Sequence, residues 1–287
     1  MGYETLLLDI RMDRNAENLR NKILDYQPDI LWLGLADCIS LIKYMENDIK
    51  YIRKKGSKVI YWFYGLRNPE TIDLKELVDI MFISSASQIE DYRKAYNIEK
   101  VYYMPQACTP AFMHSVQLPE VNDIGFAGSL TKGIHEKRMK LLQELSRKYN
   151  LKVTNTARNN ISNFYAKCKI VLGMNPDLLK ELCTSNKFFV ALGCGAFYLC
   201  EWFPGIEKLA DNHKHLVWFR DEEELINLIE YYLENDMRRQ QIMQNAEELA
   251  HSKHTYVRRI QNMLDIIDGK TNDFYGFLQS GGVKYKS

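Results

Sequence analysis

The chain has 287 residues, 46% hydrophobic and 12% aromatic, enough for about two domains of ordinary size with buried cores. Its formal net charge is +1, with 15 Lys/Arg against 16 Asp/Glu through residue 118 and 23 against 21 after it, so neither half is a basic body built to grip a phosphate backbone. No run approaches the ~18 apolar residues of a membrane span, and the opening Met1-Gly2-Tyr3-Glu4-Thr5 lacks the basic and apolar regions of a secretory signal, which predicts a soluble, cytoplasmic protein.

In the first half, strand and helix patterns alternate. Residues 5–10 form a compact apolar run and predict a strand. Helical spacing through Leu19, Ile23 and Leu24 predicts a helix over 15–27, broken by Pro28-Asp29. The nearly uninterrupted apolar run 30–35 reads as a strand of a sheet covered on both faces. A helix over 39–55 ends in Arg53-Lys54-Lys55-Gly56, cations followed by a glycine stop. Strands follow at 58–64, 79–84 and 100–104. Pro105, Pro110 and Pro119 then punctuate what reads as an interdomain linker.

The second half restarts with a strand at 123–128 and a helix at 134–149. A strand at 151–155, a helix near 161–168 and a strand at 169–174 come next. A helix at 185–194 leads into strands at 196–200 and 215–219, and helices at 222–234, 236–251 and 255–267 close the pattern. Asp221 with Glu224 forms a capping-box pair. The expected fold is α/β: two Rossmann-like, doubly wound parallel sheets facing a cleft, with the C-terminal helices packing back. The expected divisions are 1–118, 119–268 and a tail at 269–287.

Ligands in such sheets sit at the carboxyl ends of the strands, so the chemistry-bearing residues are sought there. Gly128 and Ser129 follow the first strand of the second half, with Lys132 and Arg138 supplying positive charge; the same residues suit an ordinary turn with a solvated basic helix face. Ser185, Asn186 and Lys187 stand at a helix N-terminus, where backbone N–H groups can hold an anion. Asn175 ends a strand beside Pro176-Asp177, and Tyr165 offers a ring for base stacking or for the core. Asp37, after the 30–35 strand, is the candidate catalytic base and equally a helix N-cap. Asp9, Arg11, Tyr64, Arg67, Ser84, Ser85 and Gln106 also fall at strand ends. The six cysteines, Cys38, Cys108, Cys168, Cys183, Cys194 and Cys200, form no CxxC pair and read as reduced, buried small hydrophobes. His213 with His215, and His251 with His254, lack the carboxylate or thiol neighbours a metal site needs, and no metal ligand is assigned.

Three landmarks, Asp123-Ile124-Gly125-Phe126-Ala127-Gly128-Ser129 with Arg138, the stretch Ser185 to Leu199, and His254-Thr255-Tyr256, occur in an order and spacing that resembles the C-terminal half of bacterial spore-maturation (CgeB-like) glycosyltransferases. The resemblance covers roughly residues 120–268 and implies the two-domain GT-B fold. It also implies that Gly128, Ser129, Lys132, Arg138, Tyr165, Asn175, Ser185, Asn186, Lys187 and Gly195 hold a nucleoside-diphosphate-sugar donor, with no cofactor or metal required. Family members commonly show an Arg, a Phe-Glu pair and a Gly where this chain has Lys187, Phe189-Val190 and Gly195. Lys187 keeps the charge without the bidentate fork, whereas Val190 cannot accept hydrogen bonds from ribose hydroxyls; Glu181 is a possible substitute. His254 or Thr255 is expected to cap the last helix.

Three functions follow: sugar transfer from a nucleoside-diphosphate donor, sugar-nucleotide epimerisation with proton transfer at Asp37 or a nearby His, and a degenerate non-catalytic scaffold. The acceptor side favours a small molecule, glycan or protein. A modified nucleic-acid base would draw on the cluster Arg53, Lys54, Lys55 and Lys58, and no basic, aromatic helix for a lipid surface stands out.

Overall fold

A computed structural model describes residues 2–8, 15–34, 38–64, 69, 71–133, 135–155, 160–175 and 180–274. The chain forms two compact units. One runs to Met104 and includes Asn272–Phe274; the other spans Pro105–Thr271. Each is a mixed α/β body on a parallel sheet.

In the first unit, β1 (Ile30–Gly34), β2 (Lys58–Phe63), β3 (Ile80–Ile83) and β4 (Val101–Tyr103) lie side by side in chain order, all parallel. Helix α1 (Ala16–Tyr26) precedes β1, α2 (Cys38–Tyr44) and α3 (Glu46–Lys54) make the crossover from β1 to β2, and α4 (Ile89–Tyr96) makes that from β3 to β4. Asn15 caps α1 through its side-chain oxygen, and Gln27 closes it in the left-handed region. The expected 39–55 helix is two helices split at Met45. β1 alternates partly and fully buried residues, so Trp32 keeps one edge open where the sequence predicts cover on both faces. The expected strand at 5–10 is not formed in its described part. Residues 5–8 pair with no sheet strand, and Leu7 is 92% exposed, because an apolar run without a ladder partner leaves its backbone to water.

In the second unit the strand order is β6 (Leu151–Thr154), β5 (Asn122–Ala127), β7 (Cys168–Gly173), β8 (Tyr198–Glu201) and β9 (Val217–Phe219), all parallel. The chain leaves β5 for β6 on one side and returns to β7 on the other. That reversal opens a crevice at the carboxyl ends of β5 and β7. Helices α5 (Glu136–Ser146), α6 (Ile161–Ala166), α7 (Asn186–Gly193), α8 (Glu222–Glu234), α9 (Asp236–Lys253) and α10 (Tyr256–Ile267) complete the unit. Ile124, Phe126, Leu142, Ile170, Leu199, Val217, Leu225 and Ile229 form its core, each at most 4% exposed. Asp221 Oδ1 accepts the Glu224 amide at 2.8 Å and caps α8, as its sequence predicts. The segment after Pro105 is held within this unit: Cys108 N donates to His254 O at 2.8 Å, and Ser115 N to Glu247 Oε1 at 2.8 Å.

Candidate functional site

The reversal between β5 and β7 sets the position of the candidate site. β5 delivers Phe126 and then Gly128. A Cβ on Gly128 would fall 2.6 Å from Lys187 Nζ and 2.8 Å from the Phe126 ring, so only glycine lets these groups close up. The Phe126 face carries two cations, Arg138 Cζ at 5.5 Å and Lys187 Nζ at 5.7 Å from the ring centroid. Arg138, buried at 9% exposure on the first turn of α5, donates to Ser129 O at 3.0 Å and Met174 O at 3.5 Å. Its guanidinium therefore spans the ends of β5 and β7, across the crevice itself.

Lys187 arrives from the N-terminus of α7. Ser185 occupies the N-cap with extended backbone, and its hydroxyl makes no capping bond. Burial lowers the Lys187 pKa, and the Arg138 charge lowers it further. Burial also lowers the Arg138 pKa, partly offset by Glu201. His135, just before α5, is depressed by burial and by both cations. Among the described residues neither Arg138 nor Lys187 forms an ion pair with a carboxylate. Two like charges held this close, with no carboxylate paired to either among the described residues, suit an anion bound between them.

Next to them a small cleft is lined by Gly173, Met174, Thr184, Ser185, Phe188 and Glu201. Glu201 ends β8. Its Oε2 accepts Asn175 N at 3.1 Å, its Oε1 stands 3.9 Å from Lys137 Nζ, and burial raises its pKa. The sequence reading missed Glu201 and His135. The available signal was position: Glu201 is the carboxylate at the carboxyl end of a strand, and His135 stands three residues before Arg138 at a helix start.

The structure thus brings together Gly128, Arg138, Asn175, Ser185 and Lys187. Asn175 is also structural, since its Nδ2 donates to Cys183 O at 2.8 Å. Ser129, Lys132 and Asn186 are exposed around the rim, with Ser129 Oγ 2.9 Å from Thr131 Oγ1. Two assignments are corrected. Tyr165 is 3% exposed beside Phe164, so its ring belongs to the core and has no free face for a base. Gly195 stands at the opposite end of α7 from Ser185, at φ +60°, as the left-handed residue that ends the helix. Glu181 is held by Lys208 at 2.8 Å, and Val190 is buried. Asp37 lies outside the described residues, as do Asp9, Arg11, Arg67, Pro176 and Asp177.

The histidines are engaged individually. His254 Nε2 is 3.0 Å from Leu209 O, with Arg259 Nη2 at 3.1 Å from its Nδ1, and burial holds its pKa at about 3. His213 meets Tyr232 Oη at 2.7 Å, and His251 meets Met113 O and Gly193 O at 2.8 Å. Thr255, not His254, caps α10, accepting Arg258 N at 3.2 Å. Among the described residues no group of three His, Cys, Asp or Glu is placed to hold a metal ion. No helix there is long and apolar enough to cross a membrane.

Residues 137–265 match a family model described as glycosyl transferase-like. No curated protein matches the chain. Among solved structures, the chain resembles sucrose-phosphate synthase from Thermosynechococcus elongatus at TM-score 0.60 and 12% identity, covering 90% of this chain and 77% of that one. A glycosyltransferase from Rickettsia africae gives TM-score 0.60 and 12% identity over 98% of this chain and 84% of its own. Anabaena HepE in complex with UDP-glucose gives TM-score 0.60 and 14% identity over 88% and 82%. At such identities the likeness is one of fold, and that fold is GT-B.

Proposed function

We propose that this chain, a glycosyltransferase of the GT-B fold, takes a sugar from a nucleoside-diphosphate donor held in its second unit and passes it to a hydroxyl-bearing small molecule, glycan or protein. The observation that carries the reading is the Arg138–Lys187 pair at the β5/β7 reversal, close to each other and without a carboxylate partner among the described residues. HepE, a neighbour in fold, is known with UDP-glucose bound, which supports the donor class. The landmarks at Gly128, Lys187 to Gly195 and Thr255 support placing the chain with the spore-maturation glycosyltransferases.

The chemistry follows from charge. As the glycosidic bond to the donor phosphate breaks, negative charge grows on the departing diphosphate. Lys187, Arg138 and the N-terminal end of the α7 dipole stabilise charge at that place without reorganising. These fixed cations can carry the leaving-group charge themselves, so transfer proceeds without a bound metal. Asp37, between β1 and α2 in the chain, is the proposed base that takes the acceptor proton. Calorimetric titration with UDP-, GDP-, ADP- and TDP-sugars tests the reading: one of them binds, and the donor turns over only when acceptor is supplied. If none binds, the proposal is wrong.

A further inference from the structure

Helices α2 and α3 follow one another with only Met45 between them: Met45 N bonds Leu41 O at 2.9 Å where α2 ends, and Ile49 N bonds Met45 O at 2.8 Å where α3 begins. Ile42, Met45, Ile49 and Ile52 recur at 3–4–3 spacing, are at most 4% exposed, and fix both helices on the first unit. The helical period then dictates what faces water. Lys43, Lys50 and Lys54 run down one side of the outer stripe. Tyr44 and Tyr51, one heptad apart and 56% and 57% exposed, run down the other. Exposed Lys55, its Nζ 5.6 Å from the Tyr51 ring, and exposed Lys58 extend the stripe past the helix end. Among the described residues of these helices and the strand beside them, Glu46 is paired with Lys50, Asp48 with Arg20 at 2.6 Å, and Asp79 with Arg53 at 2.7 Å. What faces outward is therefore the charge of Lys43, Lys54, Lys55 and Lys58, which form no ion pair among the described residues, edged by two tyrosines. The sequence singles out Arg53, Lys54, Lys55 and Lys58 only as a cluster for nucleic acid, because Arg53-Lys54-Lys55 also serves as a helix stop and the exposure of the tyrosines is not written in it.

We infer that this stripe docks the first unit flat on an anionic lipid surface. Lysine ammonium groups on long stems are drawn by the surface potential of acidic headgroups, while tyrosine rings settle at the headgroup level, apolar body inward and hydroxyl outward. A nucleic acid is the weaker fit. The stripe is the convex outside of a helix, not a groove that tracks a backbone, and the arginine of α3, whose planar fork would suit phosphate, is spent on Asp79. The inference does not depend on the donor site, which lies in the other unit.

The test is co-sedimentation of the full chain with vesicles of phosphatidylcholine alone, or of equal parts phosphatidylcholine and phosphatidylglycerol, at low and high salt. Duplex DNA binding is measured in parallel. The chain should pellet with the acidic vesicles only and be released by salt. Lys54→Glu with Lys55→Glu should lower partitioning at least about tenfold, and Tyr44→Ser with Tyr51→Ser should weaken it while leaving the salt sensitivity. Melting curves matching the wild type establish that both variants are folded, independently of any donor binding. Failure to bind acidic vesicles, equal binding to neutral ones, or binding that survives either pair of substitutions overturns the inference. DNA binding that the lysine pair abolishes, with vesicles ignored, makes the stripe a nucleic-acid face instead.

Discussion

A methyl group at Gly128 has nowhere to go, because Lys187 Nζ and the Phe126 ring already occupy its place. Gly128→Ala should push the lysine off the ring and cost roughly 1–3 kcal/mol of stability by overpacking. It should weaken donor binding as well, so melting temperature and donor Kd move together. Lys187→Ala separates the two. It removes one charge-assisted contact worth about 1.5–3 kcal/mol, so donor affinity should fall roughly ten- to a hundredfold. Stability should hold or rise, because a half-buried cation beside Arg138 is relieved. Calorimetry with the bound donor reads the first effect and thermal melts the second; unchanged affinity would remove Lys187 from the site. The place of Lys187 in the first turn of α7 was legible in the sequence because the apolar helical pattern of 188–193 starts directly after it. Glu201 was not, because its relevance comes from Asn175 and Lys137, which only folding brings to it.

Helix α7 puts a packed turn at one end and the proposed donor contacts at the other. Its eight residues put Ser185 and Gly195 on opposite ends, so a motif continuous in sequence divides in space. Gly195→Ala should strain a backbone at φ +60°, with Ser115 Cβ only 3.0 Å from the new methyl, and cost about 1–2 kcal/mol. Donor affinity should not change; a matching loss of affinity would return Gly195 to the binding site. Removing the cap of α10 by Thr255→Ala should cost about 1 kcal/mol in the same melts. Element existence was readable throughout the second unit, since 3.6-residue stripes and apolar strand runs are local signals. The exceptions share a physical reason. Residues 5–8 looked like a strand but lack a ladder partner, and Tyr165 looked available because helical spacing does not say which face is covered.

Across the second unit, the last helix is tied to the segment after Pro105 by a buried cation. Arg259, fully buried, donates to Pro105 O at 3.1 Å, Gln106 O at 3.2 Å and Lys253 O at 3.2 Å, stacks 5.2 Å over Phe189, and reaches His254 Nδ1. No sequence pattern announced it, because an arginine at the start of a terminal helix reads as a solvated charge. The arrangement holds only while His254 is neutral: Nε2–H donates to Leu209 O and Nδ1 accepts from Arg259. Burial first, and the Arg259 charge second, hold the folded pKa at about 3, against roughly 6.5 in the unfolded chain. Below pH ~6.5 the unfolded chain takes up a proton that the folded unit refuses, so this contribution is complete above that pH and drains away as pH falls toward ~3. At pH ~5 the loss amounts to about 2 kcal/mol. His135, His213 and His215 are also depressed and add losses of the same sign, so the informative quantity is the difference between two proteins. In urea melts between pH ~7 and ~5, His254→Gln should start less stable than the wild type yet lose less on acidification, the two curves converging. Parallel curves would show that His254 does not couple acid to unfolding.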